Sequence, residues 1–435
     1  MLASFSRLAL LPCLVVPLVG CGSNTGSEAK LGKIIIIHAT PDAQKAAQTA
    51  LIKAEPGDII EFTAGKFNFT STLSLDVSDI TIRGQGPGKD QTILSFAEQG
   101  QGTGGEGLLV KSKEKFTLEN LAIEDAKGDA VKVQDTQGVT LRNVRVEWTG
   151  GAKETNGAYG LYPVLAKDVL IEKCIVKGAS DAGIYVGQSE NIIVRECHAE
   201  KNVAGIEIEN SINADVYDNV ATDNAGGILI FTLPDLPKKD GKNCRVHDNQ
   251  VVANNHANFA PKGNIVATVP PGTGIMVMAN DYVEIFNNTI ENNQTSGVTI
   301  VSYLVTQKPI NDAGFDPYCE AIYVHDNKFA ANGDKPAGAL GAILGAKLGG
   351  KLPDIVFDGA IDDKKLVAGK LPETLGLRIR NNGDADFVNF DVLNLKLNGL
   401  SPPTWGNVSQ DLKQYEGELA AIPAVSISGA DAVKK

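Results

Sequence analysis

A short apolar motif, opened by glycine or alanine, returns at near-constant spacing through the middle of this chain. It reads Gly107-Leu-Leu-Val, Ala130-Val-Lys-Val, Gly160-Leu-Tyr-Pro, Gly183-Ile-Tyr-Val, Gly205-Ile-Glu-Ile, Gly227-Ile-Leu-Ile, Gly274-Ile-Met-Val and Gly297-Val-Thr-Ile. The spacings are 23, 30, 23, 22, 22, 47 and 23 residues. Each unit continues with a second alternating run, such as Asn191-Ile-Ile-Val-Arg or Tyr282-Val-Glu-Ile-Phe, and then a third, shorter one. A period of this length means one supersecondary unit stacked on copies of itself, because no single unit can bury its apolar face alone.

Three short strands per repeat predict an all-β solenoid, a single right-handed parallel β-helix, in which each coil adds one side-chain column to a continuous core. Alternate residues of a strand share a face, so Ile184 and Val186, Ile206 and Ile208, and Ile275 and Val277 point inward, while Tyr185, Glu207 and Met276 point out. The residues ending each second strand form another column: Leu121, Val144, Cys174, Cys197, Asn219, Asn249, Asn288 and Asn327. Stacked asparagines can bond one another and the backbone they face, satisfying groups otherwise buried unpaired. Cys174 and Cys197 read as core residues of adjacent coils, since free cysteine behaves as a small buried hydrophobe. With Cys244 and Cys319 they lack CxxC spacing and are too sparse for a disulfide scaffold.

Thr40-Pro41-Asp42 opens a helix to about residue 54, with Ala46, Ala47, Ala50, Leu51 and Ala54 on one face and Gly57 ending it. That helix is expected to close the N-terminal end of the solenoid. The β-helix with this cap is placed at 33–333. Beyond Asp334 the repeat fades into a Gly/Ala/Leu segment, Gly338 to Gly350, and strand-like runs Leu377-Arg-Ile-Arg and Phe387-Val-Asn-Phe, so 334–435 are expected to be a C-terminal cap and tail.

The first 21 residues read as an export signal, with Arg7 before the apolar run Leu8 to Leu18, too short to remain as a membrane span. They end in Leu18-Val19-Gly20-Cys21, which resembles the bacterial lipobox and implies lipidation of Cys21; a simple periplasmic signal with a chance cysteine is the alternative. Gly22 and Ser23 look like an outer-membrane address, so the expectation is an outer-membrane lipoprotein at the periplasmic face or the cell surface, with residues 22–32 as a flexible tether. A net charge of −12 argues against a nucleic-acid partner, which requires a basic surface.

Residues Trp148-Thr-Gly-Gly, Ala158-Tyr-Gly-Leu-Tyr-Pro, Ser180-Asp-Ala-Gly-Ile-Tyr-Val-Gly-Gln-Ser and Val203-Ala-Gly-Ile-Glu-Ile-Glu-Asn resemble right-handed parallel β-helix repeat proteins of the carbohydrate-binding and sugar-hydrolase type. Within that group the chain is similar to bacterial β-helix lipoproteins, over roughly residues 35 to 400. Relatives include pectin-degrading enzymes, mannuronan epimerases and the periplasmic accessory protein of nitrous oxide reductase maturation. Fold carries over such a group and function does not.

Coils longer than the common period hold their surplus at about 149–159, 231–242, 254–273 and 302–320, all beside the first strand, as loops that should wall its outward face. Lys132, Gln134, Tyr162, Tyr185, Glu207 and Glu209 form a polar half of this ligand groove. Lysine could neutralise a uronate and tyrosine or glutamate serve as general acid or base; the competing reading is ordinary solvated strand residues. Leu229, Phe231, Met276, Met278, Thr299, Val301 and Tyr303 form an apolar half, expected to lie under Phe259, Ile265, Val266 and Val269. Gly314-Phe315-Asp316-Pro317-Tyr318 is similar to the Asp-Pro-His element of mannuronan epimerases, with tyrosine in place of histidine. The aspartate clusters and Gly-His-Gly motif of polygalacturonases are absent. Met276 and Met278 could offer paired thioethers to Cu(I), with His247 and His256 in the same long coil. No metal site or cofactor is otherwise expected.

The groove therefore suggests a binding protein for an extended ligand, a glycan or an exported partner protein. The alternatives are an acidic-polysaccharide lyase or C5-epimerase using Lys132, Tyr185 and Glu207, and an accessory protein for copper or metal-site assembly. Neither activity has an intact catalytic signature, so whether the chain is an enzyme stays open at this stage. Membrane attachment through Cys21 is testable: Cys21→Ser is expected to move the protein from the membrane to the soluble fraction, and a variant that still sediments with membranes would refute the anchor.

Overall fold

The structure is a computed structural model that describes residues 32–100, 105–398 and 401–428. The export segment, Cys21 and the tether up to residue 31 lie outside the described residues. The first strands of successive coils stack into one eleven-stranded sheet running from Leu73–Leu75 to Phe387–Asn389, and the second and third strands join in a twenty-stranded sheet. Ile184 pairs with Ile206, Ile206 with Ile228, Ile228 with Ile275 and Ile275 with Val298, all in parallel register. Because like ranks align, Ile184, Val186, Ile206, Ile208, Ile275 and Val277 are buried in the main core, and Tyr185, Glu207 and Met276 leave it on the opposite side. The expected inward and outward faces hold.

A helix, α1 (Ala43–Lys53), lies at the N-terminal end. Its buried stripe is Ala43, Ala47, Ala50 and Leu51, spaced at helical period, with Ala54 also buried just beyond its end. Ala46 is exposed, contrary to expectation, because at about 3.6 residues per turn it falls beyond the edge of that stripe, and Ala43 takes its place. The helix also closes an open backbone edge. Gln44 accepts from Thr70 N and donates to Ser71 O, and Gln48 accepts from Ser74 N and donates to Ser74 O.

The asparagine column is a continuous ladder. Asn219, Asn249, Asn288 and Asn327 each donate the side-chain amide to the Oδ1 of the next member at 2.9–3.0 Å, and the series ends on Asn382. Each Oδ1 also accepts the backbone N–H of the preceding member, as Asn249 does from Asn219 N at 3.0 Å. Cys174 and Cys197 continue the column as buried free thiols. A second ladder, Asn202–Asn224–Asn254–Asn293–Asn332, runs beside it with amide contacts of 2.9–3.2 Å.

The stack continues past residue 333, where the repeat was expected to give way to a cap. Ile355–Phe357 and Phe387–Asn389 extend the first-strand sheet and Arg378–Arg380 extends the other. The Gly/Ala/Leu segment is a helix, α2 (Gly338–Lys347). The tail then crosses back over earlier coils, with Ile422 N donating to Glu284 and Val425 N to Asp215.

Replacing Asn249 by leucine removes the acceptor for two donors of Asn219 and the donors to Val216 O and Asn288 Oδ1. Each buried group left unpaired costs about 1–3 kcal/mol. Asn249→Leu, and Asn254→Leu in the second ladder, should therefore lower the midpoint of denaturant unfolding; an unchanged midpoint would show that the ladders do not hold the coils.

Candidate functional site

All four insertions lie beside the first-strand sheet: 149–158 precede Tyr159–Val164, 232–241 follow Gly226–Phe231, 253–272 precede Thr273–Met278 and 302–321 follow Ser296–Val301. The last three fold down onto the face instead of walling an open groove, while 149–158 stays mostly exposed. The 253–272 loop reaches back three coils, where Asn264 Nδ2 donates to Asp181 Oδ2 at 3.0 Å. The 232–241 loop is tied by Lys238 Nζ to Ser189 O at 3.4 Å. Small outward residues make room for this closure. A Cβ added at Gly226 would stand 3.1 Å from Val269.

Closure corrects the expectation for the polar half. Tyr185, Glu207 and Glu209 do point away from the core, yet they are only 4%, 1% and 7% exposed, so they are neither solvated strand residues nor the floor of an open groove. Lys132, Tyr162 and Tyr159 remain half-buried at the edge of the covered zone. Gln134 turns its amide to Asp135 and joins no cluster. The apolar half is covered as expected: Leu229, Phe231, Met278, Val301 and Tyr303 are buried with Val266 and Val269, and Phe259 and Ile265 pack on them.

At the polar end three tyrosines pack together, with Tyr159 4.5 Å from both Tyr162 and Tyr185 and the last two 5.0 Å apart, ring centre to ring centre. Lys132 Nζ stands 4.9 Å from the centre of the Tyr162 ring and 4.0 Å from Asp129. Tyr185 donates its hydroxyl to Glu209 at 2.5 Å. Glu207 Oε2 is buried with no hydrogen-bond partner.

Burial is the leading cause of what happens to these acids, since it disfavours the charged form. It raises Asp129 to about 6, with Lys132 opposing. It raises Asp181 to about 7, helped by Glu209 and opposed by the Asn264 bond. Glu209 also reaches about 7 against the Tyr185 bond, and Glu207 is pushed well above the carboxylate range by burial and by Glu209 and Asp181. Near neutral pH the cluster thus holds protons that ordinary carboxylates have lost, and it can exchange them. Asp129, Tyr159, Asp181 and Asn264 escaped sequence reasoning. The first three stand at or just before the start of a first strand, where strict alternation assigns no face.

The possible metal ligands are arranged otherwise than the sequence suggested. Met276 lies between Leu229 and Thr299, and Met278 between Phe231 and Val301. His247 is on the other sheet, stacked between Tyr217 and Phe286, so it is not brought to the thioethers. Asp316 of the Gly-Phe-Asp-Pro-Tyr element binds Lys365 at 2.6 Å, as does Glu320, so the carboxylate group Asp281–Asp316–Glu320 already holds an ammonium.

A family model described as a right-handed β-helix region matches residues 92–251, in agreement with the stacked parallel coils of the fold. Similar solved structures include the A-module of mannuronan C-5 epimerase AlgE4 from Azotobacter vinelandii, 13% identical over 79% of this chain and 92% of that one, with a TM-score of 0.48. The alginate lyase from Paenibacillus sp. str. FPU-7 is 15% identical over 69% and 97%, with a TM-score of 0.45. The catalytic unit of the GH87 alpha-1,3-glucanase from Streptomyces thermodiastaticus is 13% identical over 78% and 53%, with a TM-score of 0.46. No curated protein matches the sequence.

The raised acids make stability depend on pH. In the unfolded chain these carboxyls titrate at about 4, so between about pH 4 and 7 the folded state binds more protons and stability falls as pH rises. Glu207→Gln and Asp181→Asn should each shrink the fall in melting temperature between pH 5 and pH 8 by at least about 1 °C. A fall as steep as wild type in both variants would mean the acids are hydrated and the loop stands open.

Proposed function

We propose that this right-handed β-helix protein binds an extended glycan at the polar end of the loop-covered face, across Tyr159, Tyr162 and Lys132. One observation carries the reading: two half-buried tyrosines and a half-buried lysine form a shelf at the edge of the closed zone, backed by buried proton-bearing acids. Aromatic faces stack on the apolar faces of sugar rings while a few fixed polar groups set orientation, which is the usual division of labour in such sites. The charge balance favours a neutral sugar over a uronate. The cluster holds four acids, Asp129, Asp181, Glu207 and Glu209, against one lysine, and that lysine is already 4.0 Å from Asp129. A lipid anchor at Cys21 would place this shelf in the cell envelope, and that placement is part of the proposal.

A second reading, catalysis on the bound glycan, has its own support. Asp181 and Glu209 are held at about 7, the range in which a carboxyl can serve as general acid or base. Such chemistry needs the 253–272 loop to lift, because Asn264 occupies Asp181. Lys132, Tyr185 and Glu207, the groups first expected to act, are then divided. Lys132 can meet a ligand directly, while Tyr185 and Glu207 lie beneath the loop.

A glycan array probed with residues 32–435 tests the binding reading. Tyr162→Ala and Lys132→Ala are each expected to weaken a captured glycan about tenfold, equivalent to about 1.4 kcal/mol, with an unchanged melting temperature. Capture of no glycan, or binding by both variants as tight as that of wild type, refutes the shelf. Release of new reducing ends by wild type, lost in Glu209→Gln while binding persists, would establish the catalytic reading.

A further inference from the structure

Three coils further along the same face, a cavity of about 200 Å³ opens between the sheet, the insertions and the C-terminal segment. Its floor is Phe231, Met276, Met278 and Val301, Leu344 of α2 covers it, and Phe390 completes the lining. Leu229 and Val269, both buried, stand between it and the tyrosine cluster, so it is a separate site.

Hydroxyl groups also line it, and most of their protons are committed to the protein. Thr268 donates to Ile265 O, Thr273 to Pro270 O and Thr295 to Pro271 O, at 2.7, 2.7 and 2.5 Å, while Ser296 and Thr299 bond each other at 2.6 Å. Asp358 is likewise engaged, accepting from Ser302 N, Ser302 Oγ and Ala360 N. What the lining presents is therefore mainly methyl, thioether and phenyl surface. A sugar, with a hydroxyl on nearly every carbon, would lose its water there without replacement bonds. An apolar void loses contact energy on every wall, and a dry cavity of about 150 Å³ is large enough to take a benzene ring. Thioethers adapt to irregular apolar shapes.

We propose that this cavity binds the alkyl chain of a small amphiphile, with its polar end left in water at the rim marked by exposed Thr268 and half-buried Thr306. The site does not depend on the glycan reading. An alkyl chain is chosen over a rigid ring because the cavity opens to solvent at this rim, where a headgroup can remain hydrated.

The chain carries three methionines, two of which line the cavity, so methyl-¹³C-methionine labelling reports on it directly. Decanoate below its micellar range, toluene and glucose are titrated into residues 32–435, which contain only those two. The expected result is a saturable shift of both methyl resonances with decanoate, none with glucose, and binding at least tenfold weaker in Val301→Phe, which fills the floor. Leu344→Phe fills it from the roof and serves if the first variant fails to fold. Absence of a saturable decanoate shift, or equal shifts in wild type and a folded filled variant, overturns the site. Saturation by toluene but not decanoate overturns the alkyl assignment, and saturation by glucose overturns its apolar character.

Discussion

A coil of this chain has no core of its own, and all of its structure follows from having to lie in register on the coil below. Strands about 4.8 Å apart place like ranks over like ranks, so any side chain admitted to the interior faces a copy of itself or must be answered by something equivalent. Apolar columns meet that condition easily. An interior amide meets it only in a series, because each asparagine uses the next one as acceptor for both its backbone N–H and its side chain. The hand-over at the start of the series is visible in Cys197, whose N–H donates to Asn219 Oδ1 while its thiol turns to Arg195 O.

The same stacking generates the functional face. Outward ranks are also aligned, so tyrosines gather in adjacent coils and acids in the next ones. Loops from the C-terminal side then lie over them, held where Asn264 meets Asp181. The proton affinity of the acids and the closure of the loop are thus one phenomenon. Water excluded by Val266 and Val269 raises the carboxyls, and charge on the carboxyls works against the loop that excludes the water.

Much of this was legible in the chain because period and alternation are local properties. The faces of Ile184 to Val277, the asparagine column and the burial of Cys174 and Cys197 all follow from them. Alternation says which way a residue points but not what lies beyond it, so Tyr185, Glu207 and Glu209 were given the right direction and the wrong surroundings. The second ladder was within reach, since Asn224, Asn254, Asn293 and Asn332 each stand five residues after a member of the first. The coils past residue 333 were hidden because Ile355–Phe357 and Phe387–Asn389 are three-residue strands separated by irregular spacings. Ala46 was misplaced because an alanine-rich helix offers several near-equivalent stripes.

The glutamines of α1 have a consequence for assembly. A solenoid is a structure without an intrinsic last layer, and its terminal coil displays the same row of backbone donors and acceptors on which every internal coil was laid. Left bare, that row is a growth face on which another molecule could continue the stack. Gln44 and Gln48 fill part of it with side-chain amides, which imitate the peptide groups of a further strand while belonging to a helix that no strand can extend.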